Sequence, residues 1–236
     1  MMNDDLRSLP SRVDLTRRGF VVTTLAAGFA LSVQPVSADT TEKLSIDPKT
    51  TALLVMDFQT LIVDGFATDG KALLARTAGL LEAARAAGVM VVYVVVGFRP
   101  GYPEVSPQNR LFSSLKTSGR FTAGGEGTEI HPAVAPKPGE VVVTKHRVGA
   151  FVGTDLDMIL KAHRIETLIL AGIATSGVVL STVRHAADAD YGLVVVSDCC
   201  SDRDEEVHRV LVEKVLAKQA SVATAAEVAR AIGSVH

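Results

Sequence analysis

Three places in this chain carry groups able to do acid, base or addition chemistry: Asp57, Lys145 and the turn Ala174-Thr175-Ser176-Gly177-Val178. Asp57 directly follows the apolar run Thr51 to Met56, and Lys145 follows Glu140 to Thr144 in the same way. A carboxylate and an ammonium delivered to one edge of a sheet keep each other ionised, which suits proton transfer beside a stabilised charge. The same pairing is also that of an ordinary salt bridge. The turn offers a different chemistry. It links the apolar run Leu168 to Ile173 to a helix-periodic segment ending near Asp190, so it reads as strand, tight turn and helix. A helix N-terminus presents free N–H groups and partial positive charge, which favour an oxyanion and lower the pKa of a thiol. The residue best placed to use that field is Val178, whose side chain is inert. Thr175 and Ser176 supply hydroxyls there, although Ser176 equally suits a helix cap.

The elements that must position these groups alternate along the chain. Thr51 to Met56, Val89 to Val96, Glu140 to Thr144, Leu168 to Ile173, Gly192 to Ser197 and Ser221 to Ala223 read as strands. Between them lie helical patterns at Asp69 to Ala87, at Thr154 to His163 with Thr154 as cap, after the turn, after Ser201 as cap, and at Ala225 to Ile232. The uncharged run Val89 to Val96 requires cover on both faces. The expected fold is therefore α/β, a three-layer α/β/α sandwich around a six-stranded parallel sheet of Rossmann-like type, with polar strand ends gathered on one edge. The segment Gly97 to Gly127 breaks the alternation and reads as a long loop that shapes or covers a site. Its Arg99 and Arg110 are candidates for holding an anionic group of a substrate. Gln59, two residues past Asp57, is a third candidate for substrate binding.

Composition narrows the class. Residues 1–38 have the layout of a twin-arginine export signal: Arg17-Arg18, an uncharged stretch from Phe20 to Leu31, and Val36-Ser37-Ala38 as a small-residue cleavage site. A dozen apolar residues are too few to span a bilayer comfortably, which disfavours an uncleaved anchor. Residues 39–50 then form a lead-in and residues 51–236 a single domain, working in the periplasm or outside the cell. The chain has 24 basic and 26 acidic residues; removing four arginines and three acids with the signal leaves 20 and 23. That balance lacks the basic block a nucleic-acid partner needs. After cleavage, no second long apolar run calls for stable membrane insertion. The two cysteines, Cys199 and Cys200, are neighbours; they read as small buried side chains, with a thiol of Cys199 near the reactive edge as the alternative. Six scattered histidines form no closely spaced ligand pair, so neither a metal nor another cofactor is expected.

Beyond composition and spacing, residues 51–232 resemble the isochorismatase-like hydrolase superfamily. The resemblance lies in Leu54-Val55-Met56-Asp57-Phe58-Gln59, in Thr144-Lys145 with Ala150-Phe151 and Gly153-Thr154-Asp155-Leu156, and in Gly172-Ile173-Ala174-Thr175-Ser176-Gly177-Val178-Val179. It implies a proton-transfer role for Asp57 and charge stabilisation by Lys145. It also implies a cis peptide from Ile173 to Ala174, aiming the N–H groups of Ala174 and Val178 at an oxyanion. In the cysteine amidases of this superfamily a cysteine stands where this chain has Val178. Isochorismatases proper also lack that cysteine and use the matching aspartate as a proton donor. Nicotinamidases hold a metal after the second strand, where this chain has Gly97-Phe98-Arg99. The resemblance thus implies hydrolysis of a C–N amide, ureide or vinyl-ether bond in a small polar molecule without a cysteine nucleophile. The alternative is a pseudoenzyme that binds such a molecule. A homo-oligomer, dimer or tetramer, is implied as well.

Overall fold

The computed structural model describes residues 44–233. The expected export signal and its cleavage site lie outside the described residues. Six strands form one sheet: β1 (Thr51–Met56), β2 (Met90–Val96), β3 (Val141–Lys145), β4 (Thr167–Ile173), β5 (Gly192–Ser201) and β6 (Ser221–Ala223). Every pairing is parallel and the order is β3-β2-β1-β4-β5-β6. The helices are α1 (Thr60–Phe66), α2 (Gly70–Ala86), α3 (Arg110–Ser118), α4 (Leu156–Ala162), α5 (Leu180–Asp188), α6 (Glu205–Val210) and α7 (Ala225–Gly233). None of the described helices is long and apolar enough to cross a membrane.

The sheet is covered on both faces, because alternate residues of a strand point to opposite sides. Leu53 and Val55 of β1 join Ile169, Ala171 and Ile173 of β4 in a core with α2 and α7, which contribute Leu73, Leu80, Leu81, Val228 and Ile232. Ala52, Leu54 and Met56 face the other way, into a core with Leu156 and Leu160 of α4 and Val183 and Ala186 of α5. Each fully buried Val, Leu, Ile or Met among these contributes about 1.5–3 kcal/mol relative to exposure. The three-layer reading of the sequence is therefore the observed architecture.

Three local readings need correction. The segment Gly97 to Gly127 is not loop throughout, since α3 forms within it. Asn109 caps that helix by accepting from Phe112 N, and Gly119 ends it in the left-handed region. The fifth strand does not stop at Ser197. Its register against β4 slips between Leu170, paired with Val195, and Gly172, paired with Cys200, and the strand continues through Ser201. In consequence Ser201 is strand, and Asp204 caps α6 by accepting from Glu206 N and Val207 N.

The strand order reverses between β1 and β4, which emerge side by side, with Met56 paired to Gly172. In open α/β sheets the crevice outside the carboxyl ends at such a switch point is where ligands bind. Asp57 leaves the sheet there one residue beyond that pair, and the turn, starting at Ala174, two residues beyond it.

Candidate active site

Asp57 is the first residue out of β1, and its backbone takes up the left-handed conformation (φ 60°) that side-chain-bearing residues seldom adopt. Its N–H donates to Val94 O at 2.8 Å, tying the bend to β2. The bend carries the carboxylate to Lys145, the last residue of β3, whose Nζ lies 2.9 Å from Oδ2 of Asp57. Both side chains are almost fully buried, at 7% and 3% exposure. Lys145 Nζ also donates to Arg147 O at 3.1 Å. The second carboxylate oxygen, Oδ1 of Asp57, is buried and has no hydrogen-bond partner. Burial pushes the Asp57 carboxyl above its usual range, against the opposing pull of the Lys145 charge.

The structure brings the turn to the same edge. The peptide from Ile173 to Ala174 is cis, as expected. Residues Thr175–Val179 then form a single π-helical turn before α5, with Val179 N donating to Ala174 O at 3.3 Å. A π turn inserts one residue into a helix and is often found at functional sites. Ser176 does not cap it: the turn begins at Ala174 without a side-chain cap. The N–H of Ser176 donates instead to Oδ2 of Asp202 at 2.7 Å, and the buried hydroxyl of Thr175 lies 2.7 Å from His208 Nδ1. Val178 is 2% exposed and belongs to the core beside Met56 and Cys200.

The close approach of these elements depends on Gly172. A Cβ there would lie 3.0 Å from Val179 Cγ2 and 3.2 Å from Met56 Cβ, so any larger residue would require those side chains to give by a few tenths of an ångström for β4 to run against β1 and the π turn at this depth.

The three residues expected to bind substrate are placed differently. Gln59 has its whole amide committed to backbone: Oε1 accepts from Val96 N at 2.8 Å, and Nε2 donates to Val96 O at 3.0 Å and Thr128 O at 2.6 Å. It fastens the exit of β1 to β2 and to the loop before β3. Arg99 is largely exposed and pairs with Glu104 at 2.5 Å. It borders a cleft of about 470 Å³ with Thr144, His146 and Asp155, on the β2 and β3 side of the edge. Arg110 is exposed at the start of α3, and among the described residues no hydrogen bond or ion pair holds its side chain. The arginine nearest Lys145 in sequence that the structure ties down is Arg147, whose Nη1 donates to Glu104 O and His146 O. Sequence spacing gave no sign of that contact, since Glu104 lies 43 positions away.

Neither cysteine is a nucleophile in waiting. Cys199 and Cys200 are free and buried within β5. Burial pushes the Cys199 thiol up to about 12 and the Cys200 thiol up as well. Among the described residues, no three or more His, Cys, Asp or Glu side chains converge as a set of metal ligands. At Gly97-Phe98-Arg99 the central side chain is buried among Tyr102, Phe112 and His146.

Comparison with known proteins fits this geometry. Residues 51–227 match the isochorismatase domain. The ureidoacrylate amidohydrolase RutB of Methylobacterium radiotolerans is 32% identical over 196 residues, covering 74% of this chain and 76% of that protein. The maleamate amidohydrolase of Pseudomonas putida is 30% identical over 181 residues, covering 73% and 82%. Among solved structures, a cysteine hydrolase from Pseudomonas syringae pv. phaseolicola superposes with a TM-score of 0.75 at 26% identity, covering 81% of this chain and 96% of that one. With the family's domain spanning the whole sheet and the strand-end geometry in place, the chain belongs to the isochorismatase-like hydrolase superfamily.

Proposed function

We propose that this chain hydrolyses the C–N acyl bond of a small polar amide or ureide, using Asp57 as proton acceptor, water as nucleophile and Lys145 as the fixed positive charge beside them. The observation that carries the reading is the pair itself: Oδ2 of Asp57 is held by Lys145, while Oδ1 is buried and unpartnered. An unpaired buried acceptor costs about 1–3 kcal/mol, a cost offset when a water or substrate proton occupies it. In the proposed reaction Oδ1 takes a proton from water as its oxygen adds to the acyl carbon. The oxyanion that forms is met by N–H groups of the turn at Ala174 and Val178. Asp57 then returns the proton to the nitrogen as the C–N bond breaks, leaving an acid and an amine.

The relatives named above act on ureidoacrylate and on maleamate. Both compounds are unsaturated acids carrying an acyl nitrogen, and we take that class as the first to assay. The test is release of amine or ammonia from a panel of such compounds, with vinyl ethers alongside. Wild-type turnover, lost in Asp57→Asn with binding retained by calorimetry, supports the reading; no turnover on any compound overturns it.

A second reading is favoured by one observation, the buried valine at position 178. Without a nucleophile on the turn, the same strand-end site would serve a binding protein, and calorimetry without turnover is its signature. We also propose that the protein is exported through its paired arginines and forms a homo-oligomer. Cell fractionation of the full chain and light scattering of the purified protein test these two points.

A further inference from the structure

We propose that His208 is a positioning residue which, together with Asp202, fixes the π turn of residues 174–179 from outside. The proposal rests on the reading of that turn as the oxyanion site. The turn is closed from within by backbone bonds: Gly177 N donates to Ala174 O at 3.1 Å, and Leu180 N donates to Thr175 O and Gly177 O. It starts at Ala174 with no side-chain cap, and its i to i+5 bond from Val179 N to Ala174 O is long at 3.3 Å. What grips it from outside comes from the segment joining β5 to α6, through Asp202, and from α6 itself, through His208, and the two grip successive residues by different means. His208 Nδ1 meets the hydroxyl of Thr175 at 2.7 Å, where Thr175 is fully buried. Oδ2 of Asp202 accepts the N–H of Ser176 at 2.7 Å, and its Oδ1 accepts the N–H of Arg203 at 2.9 Å, so the carboxylate is itself fixed. The two contacts span 33 and 26 positions of sequence. They hold the turn against a separate element rather than against its own helix.

The consequence for chemistry is specific. An oxyanion forms only during the reaction, so donors displaced by a few tenths of an ångström weaken the transition state more than the bound ground state. Because Asp202 consumes the Ser176 N–H, that donor is withdrawn from any ligand. The contact also sets the direction of the N–H groups on either side. His208 touches neither Asp57 nor Lys145 by any hydrogen bond or ion pair in the described residues, so its effect runs through its bond to Thr175 and its electrostatic interaction with Asp202, which holds Ser176 N.

The experiment uses the full chain and three variants: His208→Phe, which keeps a ring and loses the nitrogen; His208→Asn, which can offer a polar atom near the Nδ1 position; and Thr175→Val, which removes the same bond from the turn's side. Steady-state kinetics on a turned-over amide or ureide and hydrogen exchange of the 174–180 amides are the readouts. Removing an oxyanion donor outright costs about 10²–10³-fold in kcat, and loosening the support of such donors is expected to cost a smaller part of that, about 10-fold. The expected result is a loss of that size in kcat for His208→Phe and Thr175→Val, with KM changed less than about threefold. Exchange at 174–180 rises in both, and His208→Asn recovers most of the loss. Wild-type kcat and wild-type exchange in His208→Phe and Thr175→Val overturn the proposal, as does a loss confined to overall stability. If wild type turns over no amide or ureide, the hydrolase reading fails and exchange alone decides the positioning. Should His208→Phe not fold, Thr175→Val, which leaves α6 untouched, carries the same test.

Discussion

Lys145 reaches Asp57 from two strands away: it ends β3, Asp57 leaves β1, and Nζ to Oδ2 is 2.9 Å with β2 between them. Both charges are out of water, so each is tolerated only because of the other. Removing one partner of such a buried pair typically costs about 3–5 kcal/mol, because the survivor is left uncompensated. Lys145→Met is therefore expected to destabilise the fold by roughly that amount. The double variant Asp57→Asn with Lys145→Met recovers much of the loss. Urea denaturation of the four proteins in this cycle measures the coupling, and additive losses would show that the pair is not energetically joined.

The pH dependence follows from the direction of the Asp57 shift. Burial raises its pKa above the value it has in the unfolded chain. A group with a raised folded pKa favours the fold when protonated. That contribution is complete below the unfolded value and is lost as pH rises through the folded one, so ionised Asp57 is a net cost at neutral pH. As a base it must nonetheless be ionised. The acid limb of a kcat profile is expected above the ordinary carboxylate range of about 4. A limb at or below that range would contradict the assignment of Asp57 as the buried proton acceptor.

Much of this was legible in the sequence, for a physical reason. Strands buried on both faces must be nearly uncharged, so β1, β2, β4 and β5 announce themselves as apolar runs, and the first polar residue after each marks the carboxyl edge. Asp57, Lys145 and the turn could be found in that way. What could not be read were contacts between strand exits. Asp202 reads in sequence as one of several acids favouring the start of α6, yet it is buried and holds Ser176 N. His208 reads in sequence only as one of six scattered histidines, yet it meets Thr175. Gln59 looked available to a ligand because sequence does not reveal that Val96 and Thr128 use both ends of its amide. The extension of β5 was hidden because a register slip has no compositional mark.

Gly172 tests how tightly the turn is seated. Alanine there would set its Cβ 3.0 Å from Val179 Cγ2 and 3.2 Å from Met56 Cβ, contacts that the neighbouring elements must yield to accommodate. Overpacking of this kind costs about 1–3 kcal/mol. Gly172→Ala is expected to lower the denaturation midpoint accordingly and to reduce ligand affinity, since both the exit of β1 and the π turn are pushed. Gly79→Ala is the control. No heavy atom lies within 4 Å of its added Cβ, and as a helix-interior position it should gain stability instead. A Gly172→Ala protein as stable as wild type would mean that β4 and the turn have room to relax.

Val178→Cys asks whether the turn still carries the field for a thiolate. Valine and cysteine are close in volume, and the site is 2% exposed within the core, so the exchange should cost no more than about 1.5 kcal/mol. The two native thiols are a quiet background, because burial raises the pKa of both, that of Cys199 to about 12. In the folded wild type an alkylating reagent should therefore react slowly at every cysteine. A cysteine at 178 would instead stand in the π turn leading into α5, where the partial positive charge of a helix start lowers a thiol pKa against the opposing effect of burial. The expected outcome is one thiol that reacts with iodoacetamide well below pH 8 and a burst of product with an activated ester, both lost on adding Asp57→Asn. If the new thiol labels no faster than Cys199, the turn does not generate the positive field on which the proposed oxyanion chemistry depends.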